Sequence, residues 1–239
     1  MIAPRNRLLA ALPPSEYQRL NIHLKPVSLK RGQILYHVEE EITTVYFPEQ
    51  ALVSLVLITQ NGNTCDAGII GSEGMVGLPV IFGSRYGEAN ATLQFSGTAQ
   101  QLSVEVLRSA LKRREVLQQK LLEFAQILQL QMMQTIMYNT LRPVETRLAR
   151  WLLLAQSSMQ RDELPFTQEL LSEMLGVRRA TISEIASAWG RQGIIAYHRG
   201  KILIKKQQVL VEKAGEDCRN YQTKVEQYLE KLALHYYIA

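Results

Sequence analysis

The sequence predicts an α+β protein in which a β-rich first half is followed by helices. Short β-prone runs bounded by turn residues occupy the chain from Pro26 to about Val106. Between residues 117 and 132 apolar residues then recur three or four positions apart, which is the period of an α-helix. Residues 164–204 carry two short helical patterns followed by a β-branched hairpin pattern.

Length and composition exclude several classes of protein. A chain of 239 residues that is 46% hydrophobic is long enough for two domains with cores of their own. Cys65 and Cys218 are far apart in sequence, so they make neither a disulfide framework nor a metal-ligand cluster, and the four histidines show no zinc spacing. No apolar run reaches the roughly 18 residues of a membrane span, and the N-terminus lacks a signal-peptide pattern. We therefore expect a cytoplasmic protein.

The β-rich half predicts a barrel or sandwich. Its clearest runs are residues 32–36, 43–47, 52–57, 67–71 and 91–95. Short strands at this spacing are typical of such folds. Glycines crowd one region of this half, residues 68–87.

A long helix follows, and its apolar residues form a seam. The seam consists of Leu117, Leu121, Phe124, Leu128 and Met132. It is either an ordinary core face or a dimer interface, and we favour the dimer because a long helix outside a compact domain needs a partner. Arg142-Pro143 breaks the helix. The predicted parts are thus a sensor-like domain (1–106), a dimerisation helix (107–142) and a third domain (143–239).

The third domain begins with a helix from Val144 and continues with a closely spaced helix pair. Thr167 can cap the first helix of the pair, Glu169 suits its N-terminal dipole, and Gly176 can end it in the left-handed conformation. In the second helix the positions spaced for inward packing are Ile182, Ile185, Ala186 and Trp189. Its opposite face is small and polar.

A hairpin pattern over residues 194–204 completes the unit, with Gly200 in its turn. Two helices joined by a tight turn and followed by a hairpin are typical of a winged helix-turn-helix, whose second helix fits the DNA major groove. The alternative is that this is only a small folding unit without a ligand. Charge favours DNA: residues 164–206 hold seven Lys or Arg and three acids, so a balance of +4 out of the chain's +5 lies here.

The candidate DNA-binding residues lie on the second helix and the hairpin. They are Arg178, Arg179, Ala180, Thr181, Ser183, Glu184, Arg199 and Lys201. Arg179 can bond guanine, Glu184 can accept from cytosine, and Ser183 suits either base. Arg178, Arg199 and Lys201 are expected to contact phosphates. An open alternative is that the arginines are only solvated and that Glu184 pairs with an Arg of its own helix.

From Gln207 the apolar residues again recur at helical spacing, which predicts an amphipathic tail helix that can bend at Gly215. Cys218 lies on its apolar stripe, so we interpret it as a small core residue rather than a reactive thiol.

The order of parts resembles the Crp/Fnr family of bacterial transcription regulators over roughly residues 20–205. Gly71-Ser72-Glu73-Gly74-Met75-Val76-Gly77-Leu78 is similar to the glycine-rich turn of the cyclic-nucleotide-binding fold, and the stretch from Gly176 to Ser183 is the more specific motif. The resemblance implies a cyclic-nucleotide-binding-like β-roll and a homodimer on a pseudo-palindromic operator. It also implies RNA polymerase as a further partner, and a small-molecule effector acting through the long helices.

The resemblance places an effector pocket at Gly74, Met75, Gly77, Arg85, Asn90 and Ala91. In the cyclic AMP binders of the family a Glu in the turn holds the ribose and an Arg-Ser pair holds the phosphate. Here those places hold Met75 and Asn90-Ala91, which leaves Arg85 as the remaining phosphate partner. We therefore do not expect tight cyclic AMP binding, and the effector stays unknown.

Other branches of the family are less compatible with the sequence. The iron-sulfur branch needs a cysteine cluster that Cys65 and Cys218 cannot provide. A haem-sensing branch stays open on ligand counting alone because His37 or Cys65 could ligate. Well-known members place an Arg-Glu pair and then a second Arg on the recognition helix, whereas this chain offers Arg179, Ala180 and then Glu184, so its operator should differ.

The sequence does not predict an enzyme, because it contains no Walker loop, no nucleophile elbow and no His-Glu metal motif. The second hypothesis is a ligand-sensing regulatory module that acts through a protein partner. DNA remains the preferred partner, and no membrane is expected because neither end of the chain carries a basic amphipathic anchor helix.

Overall fold

The computed structural model describes residues 4–62 and 64–238, with side-chain surroundings as far as residue 232. Two short helices, α1 (Arg7–Ala10) and α2 (Pro14–Asn21), come first. Six strands follow: β1 (Lys25–Leu29), β2 (Thr44–Pro48), β3 (Leu52–Ile58), β4 (Thr64–Ile70), β5 (Asn90–Phe95) and β6 (Gly97–Ser103). A 3-10 helix (Leu78–Phe82) lies between β4 and β5.

The six strands form two antiparallel three-stranded sheets, ordered β1-β6-β2 and β4-β3-β5. Both sheets contribute to one hydrophobic core, in which Phe47, Val53 and Leu93 are buried. This is the predicted β-rich domain. The sequence predicts a strand over residues 32–36, but these residues contribute only an isolated bridge between Ile34 and Thr92. Sequence reasoning misses β1 and β6 because both strands are rich in polar residues, which obscure the alternation of apolar and polar positions that is typical of a strand.

The predicted segment 107–142 contains the end of α3 (Val104–Leu111), a turn, and the long helix α4 (Val116–Leu141). At 1.5 Å per residue α4 is about 39 Å long. The predicted dimer seam faces the core of its own protomer. Leu117, Leu121, Phe124 and Leu128 are buried there, and Met132 packs at the edge of the same core. The interface assignment of these five residues is therefore corrected: β4, the 3-10 helix and the C-terminal helix cover them.

The third domain begins with α5 (Val144–Met159) directly after Pro143, as predicted. It continues with β7 (Glu163–Leu164), α6 (Gln168–Leu175), α7 (Arg179–Arg191), β8 (Ile195–His198), β9 (Lys201–Ile204) and α8 (Gln207–Ala214). The strands form a sheet ordered β7-β9-β8. A second hydrophobic core fills the domain around Leu152, Phe166 and Trp189.

The C-terminal tail is two helices. Gly215, with φ of +85°, separates α8 from α9 (Glu216–Ile238), at the residue where the sequence predicts a bend. The sequence places the whole tail in the third domain, but α9 packs against α4 and α1 of the first half. Cys218 is fully buried, in agreement with its predicted place in the core.

Candidate nucleic-acid interface

Local sequence rules position the first helix of the pair. The Thr167 hydroxyl accepts a hydrogen bond from Leu170 N at 3.2 Å and caps α6. Gly176, with φ of +63°, ends α6 in the left-handed conformation. The carbonyl of Leu175 would be left without a helical partner, and Arg147 Nη1 of α5 donates to it at 3.0 Å. Helix α6 is therefore fixed at both of its ends, and its C-terminal end sets the start of the tight turn into α7.

The orientation of α7 depends on its inward face. Ile182, Ala186 and Trp189 are buried, and Ile185 is partly buried. Trp189 Nε1 donates to Glu145 Oε1 at 2.7 Å, and Lys213 Nζ donates to the same oxygen at 2.7 Å. The hydrogen bonds from Lys213 and Trp189 hold the pKa of Glu145 below its usual range. Through these two hydrogen bonds, Glu145 of α5 holds both α7 and α8 against α5.

The outward face of α7 brings six predicted residues together. Arg178, Arg179, Ala180 and Glu184 are exposed, while Thr181 and Ser183 are partly buried along the same face. Arg178 is the N-cap residue, so both arginines lie at the N-terminal end of α7. This is the end that a recognition helix presents to base edges.

Arg179 forms a weak surface ion pair with a residue of α6. Its Nε lies 3.6 Å from Glu169 Oε2, and both side chains are more than half exposed. A surface ion pair of this kind contributes little to stability. Arg179 can therefore leave Glu169 and contact a base at little cost in free energy. Among the residues that the structure describes, no ion pair involves Glu184, which leaves its carboxylate available.

The predicted hairpin is β8–β9. Arg199 and Gly200 form its two-residue turn with φ of +48° and +76°, as in a type I′ turn. Arg199 is exposed at the tip. Lys201 differs from it, since its Nζ donates to Glu163 Oε1 on β7 at 2.6 Å and lowers the pKa of that carboxyl. Arg199 is the freer phosphate candidate of the two.

Sequence reasoning missed Glu145, Arg147 and Lys213 as residues that support this surface. Glu145 and Trp189 are separated by 44 positions, and no local pattern joins them. The only signal was indirect: a buried Trp needs an acceptor for its indole N–H.

A cavity of about 1360 Å³ lies between α4 and the domain formed by β1–β6 (residues 25–103), called the β-roll below. Its walls are mostly apolar and include Leu55, Leu57, Leu78 and Phe82. The charged residues among the described ones that line it are Glu88, Glu115, Glu123 and Arg114, so acids outnumber bases. Such a wall does not favour an anion.

Of the six residues predicted for an effector pocket, only Gly77 lines this cavity. Gly74 lies beneath the ring of Phe124, where a Cβ would come within 2.0 Å of Cζ. Met75 and Ala91 are fully buried in the core. None of these three residues lines the cavity: Gly74 packs against Phe124 of α4, and the side chains of Met75 and Ala91 lie in the core of the β-rich half.

The two remaining residues also lie elsewhere. Arg85 is exposed and lies 3.8 Å from Glu41, at a distance typical of a weak surface pair. Asn90 is buried, and its Oδ1 accepts from Val38 N at 2.8 Å to fix the adjacent loop. Neither residue lines the cavity, so the structure does not bring the six predicted residues together.

The described part of the chain holds neither a membrane-spanning helix nor a cluster of metal ligands. No helix within residues 4–62 and 64–238 is long and apolar enough to cross a membrane. Over the same residues, no three or more His, Cys, Asp or Glu side chains come together as metal ligands.

Comparison with known proteins gives a family-model match for part of the chain and fold matches for most of it. Residues 146–212 match the family model of the Crp-like helix-turn-helix domain. No curated protein matches the chain in sequence. Solved structures match in fold: FixK2 from Bradyrhizobium japonicum has a TM-score of 0.69 at 15% identity, covering 81% of this chain and 98% of its own.

Two further structures give the same result. A transcriptional regulator of the CRP family from Thermus thermophilus has a TM-score of 0.64 at 19% identity, covering 80% of this chain and 97% of its own. The c-di-GMP responsive global regulator CLP of Xanthomonas campestris also has a TM-score of 0.64, at 14% identity, covering 80% of this chain and 99% of its own. At these identities the likeness shows the fold.

Proposed function

We propose that this chain, which carries a Crp-like helix-turn-helix domain on the fold of the Crp/Fnr transcriptional regulators, binds a pseudo-palindromic operator as a homodimer without cyclic AMP. One observation carries the proposal. The N-terminal face of α7 is exposed, basic and continuous with small side chains, and its roll is fixed from behind by Glu145. That surface suits a major groove.

In the proposed homodimer, a second copy of the chain packs against an exposed apolar row on α4. Leu122, Met133 and Ile136 form an exposed row, with 46%, 60% and 68% of their surfaces accessible. This row lies about a third of the helix circumference away from the buried seam, given 100° per residue. It is also the side on which Leu122, Gln126 and Gln129 border the large cavity. A partner helix on this row would bury the apolar side chains and close the cavity.

Cyclic AMP independence is supported by the wall of that cavity. An anionic phosphate needs a charge-assisted donor, and the lining offers Arg114 against three acids. Any effector of this cavity should therefore be largely apolar and carry no phosphate.

The test compares two arginines with different expected roles. A duplex is first selected from a random library with the wild-type protein and no added ligand. Arg179→Ala should then weaken binding by about 1–3 kcal/mol and relax preference at one base position. Arg199→Ala should weaken all sequences alike and reduce the dependence on salt, because a phosphate contact carries no sequence information. Equal, sequence-blind losses in both variants would contradict the assignment.

A further inference from the structure

Helix α9 joins the two halves of the molecule. Its first turns belong to the core of the DNA-binding domain through Cys218 and Tyr221. Its later turns belong to the core of the β-roll through Tyr228 and Leu232. One helix is therefore part of both hydrophobic cores, and it starts beyond residue 212, where the helix-turn-helix match ends.

Hydrogen bonds reinforce α9 along its length. The Tyr228 hydroxyl donates to Glu73 O in the glycine turn at 3.0 Å, in a buried position. The Tyr221 hydroxyl accepts from Gln131 Nε2 of α4 at 3.3 Å, and Asp217 forms an ion pair with Arg142 at the end of α4. Tyr228 and Phe124 also place their ring centroids 6.4 Å apart. These contacts fasten α9 to α4 and to the β-roll.

The contacts of α9 form one joint between the two halves, and a second joint, between the glycine turn and α5, lies beside it. Ser72 N and Ser72 Oγ both donate to Ser158 O near the end of α5, at 3.3 and 3.2 Å, and Ser158 Oγ donates to Glu73 Oε1 at 3.1 Å. Gly71 permits this approach, since a Cβ there would lie 2.6 Å from Ser158 O. The β-roll and the DNA-binding domain thus touch through the same glycine turn that receives Tyr228.

The recognition surface is open in this arrangement. The exposed face of α7 and the wing tip at Arg199 take no part in either joint. Any rotation of the DNA-binding domain about residues 142–143 has to shift α9 against one of the two cores to which it belongs. The arrangement that exposes α7 is therefore the one that α9 holds.

We infer that Tyr228 and Leu232 are positioning residues for DNA binding, which anchor α9 on the β-roll and keep α7 oriented for the operator without an effector. This inference rests on the proposed DNA-binding function. It makes α9 a strap between the domains. Loosening the strap lowers the fraction of molecules that are ready to bind, and the measured affinity falls in proportion to that fraction.

The experiment uses the full chain with Leu232→Asp, which places a charge in the β-roll core and releases the strap. Leu232→Met is the conservative variant, and Thr223→Asp puts the same charge on an exposed position of α9. Fluorescence anisotropy measures affinity for the selected duplex and for a scrambled duplex. Calorimetry measures whether the two domains unfold in one transition or two.

Leu232→Asp should unfold in two transitions and bind the selected duplex roughly tenfold more weakly or worse. Its affinity for scrambled DNA should stay unchanged, because the basic surface is intact. Leu232→Met and Thr223→Asp should match the wild type. Tyr228→Phe, which removes only the bond to Glu73 O, should give a smaller loss with wild-type unfolding, and it keeps the test available if Leu232→Asp does not fold.

Two results separate the possible failures. Unchanged or tighter specific binding in Leu232→Asp or Tyr228→Phe would overturn the strap while leaving DNA binding intact. A wild-type protein that binds the selected and scrambled duplexes equally would overturn the proposed function itself.

Discussion

Among single residues, Asp66 on β4 is held in an unfavourable electrostatic environment. Both carboxylate oxygens are buried without a hydrogen-bond partner. Burial raises the pKa of Asp66 to about 7, partly opposed by the nearby Ser54 hydroxyl. Arg147 and Arg150 of α5 line the same small cavity of about 30 Å³, so the carboxyl lies where the β-roll meets the DNA-binding domain.

Asp66 should therefore make stability depend on pH. The unfolded chain loses this proton near pH 3.8, whereas the folded protein keeps it up to about pH 7. Between these values the folded state binds more protons, so the stability contributed by Asp66 falls as pH rises. Asp66→Asn should stabilise the protein by about 2 kcal/mol above pH 7, less than the full shift corresponds to because an amide there also lacks partners.

Urea unfolding of wild type and Asp66→Asn at several pH values measures this effect. The gap between them should grow from about pH 4 to pH 7 and then stay level. A gap that is constant over the whole range would show that Asp66 titrates normally.

The positions of residues that depend on local rules, such as helix capping and periodicity, could be predicted from the sequence. The positions of residues that depend on how distant segments pack together could not. Thr167, Gly176 and Trp189 follow from capping, left-handed turns and helical periodicity, and the structure confirms all three. Met75 and Asn90 were assigned from a resemblance, and their side chains depend on how the loop between β4 and β5 packs. No local pattern encodes that packing.

At the scale of elements, periodicity predicted the long helix but not which of its faces meets a partner. An apolar seam looks the same whether its own β-roll or a second copy covers it. The buried seam proved to be a core face, and the exposed row at Leu122, Met133 and Ile136 interrupts a polar, Gln-rich face. Three apolar residues spread over this face are too few to predict an interface from the sequence.

Ile136→Asp should disrupt the homodimer, because it places a charge at the most exposed apolar residue of the proposed interface. Sedimentation velocity should show a shift from dimer to monomer. Ile22→Asp is the matched control, since Ile22 is 78% exposed at the end of α2 and does not belong to this row, so it should leave the dimer intact. A dimer unaffected by Ile136→Asp would place the interface elsewhere.

The glycine turn is required for packing at Gly74. Gly74→Ala would press a methyl group into the Phe124 ring and should destabilise the protein by about 2–3 kcal/mol in urea unfolding. Phe124→Leu in the same chain should recover part of that loss. As a control, Gly190→Ala meets nothing within 4 Å on α7 and should stabilise by about 0.5–1 kcal/mol. Equal effects of the two alanines would refute the packing argument.

For the whole molecule, the order of parts was predictable, and the way they are joined was not. The β-rich half, the long helix and the winged helix-turn-helix each have their own periodicity and turn residues. The joint between them depends on Tyr228, which bonds a carbonyl 155 residues away. A contact at that separation leaves no trace in a local pattern, so sequence reasoning places α9 wholly in the DNA-binding domain.

Titration of the selected duplex with wild-type protein, without any added ligand, tests the central claim most directly. Fluorescence anisotropy gives the affinity and the number of protomers bound, and a duplex with both half-sites scrambled is the reference. We expect two protomers on the palindrome and an affinity about 10³-fold tighter than for the scrambled duplex. A single protomer, or the same weak and steeply salt-dependent affinity for both duplexes, would contradict the account.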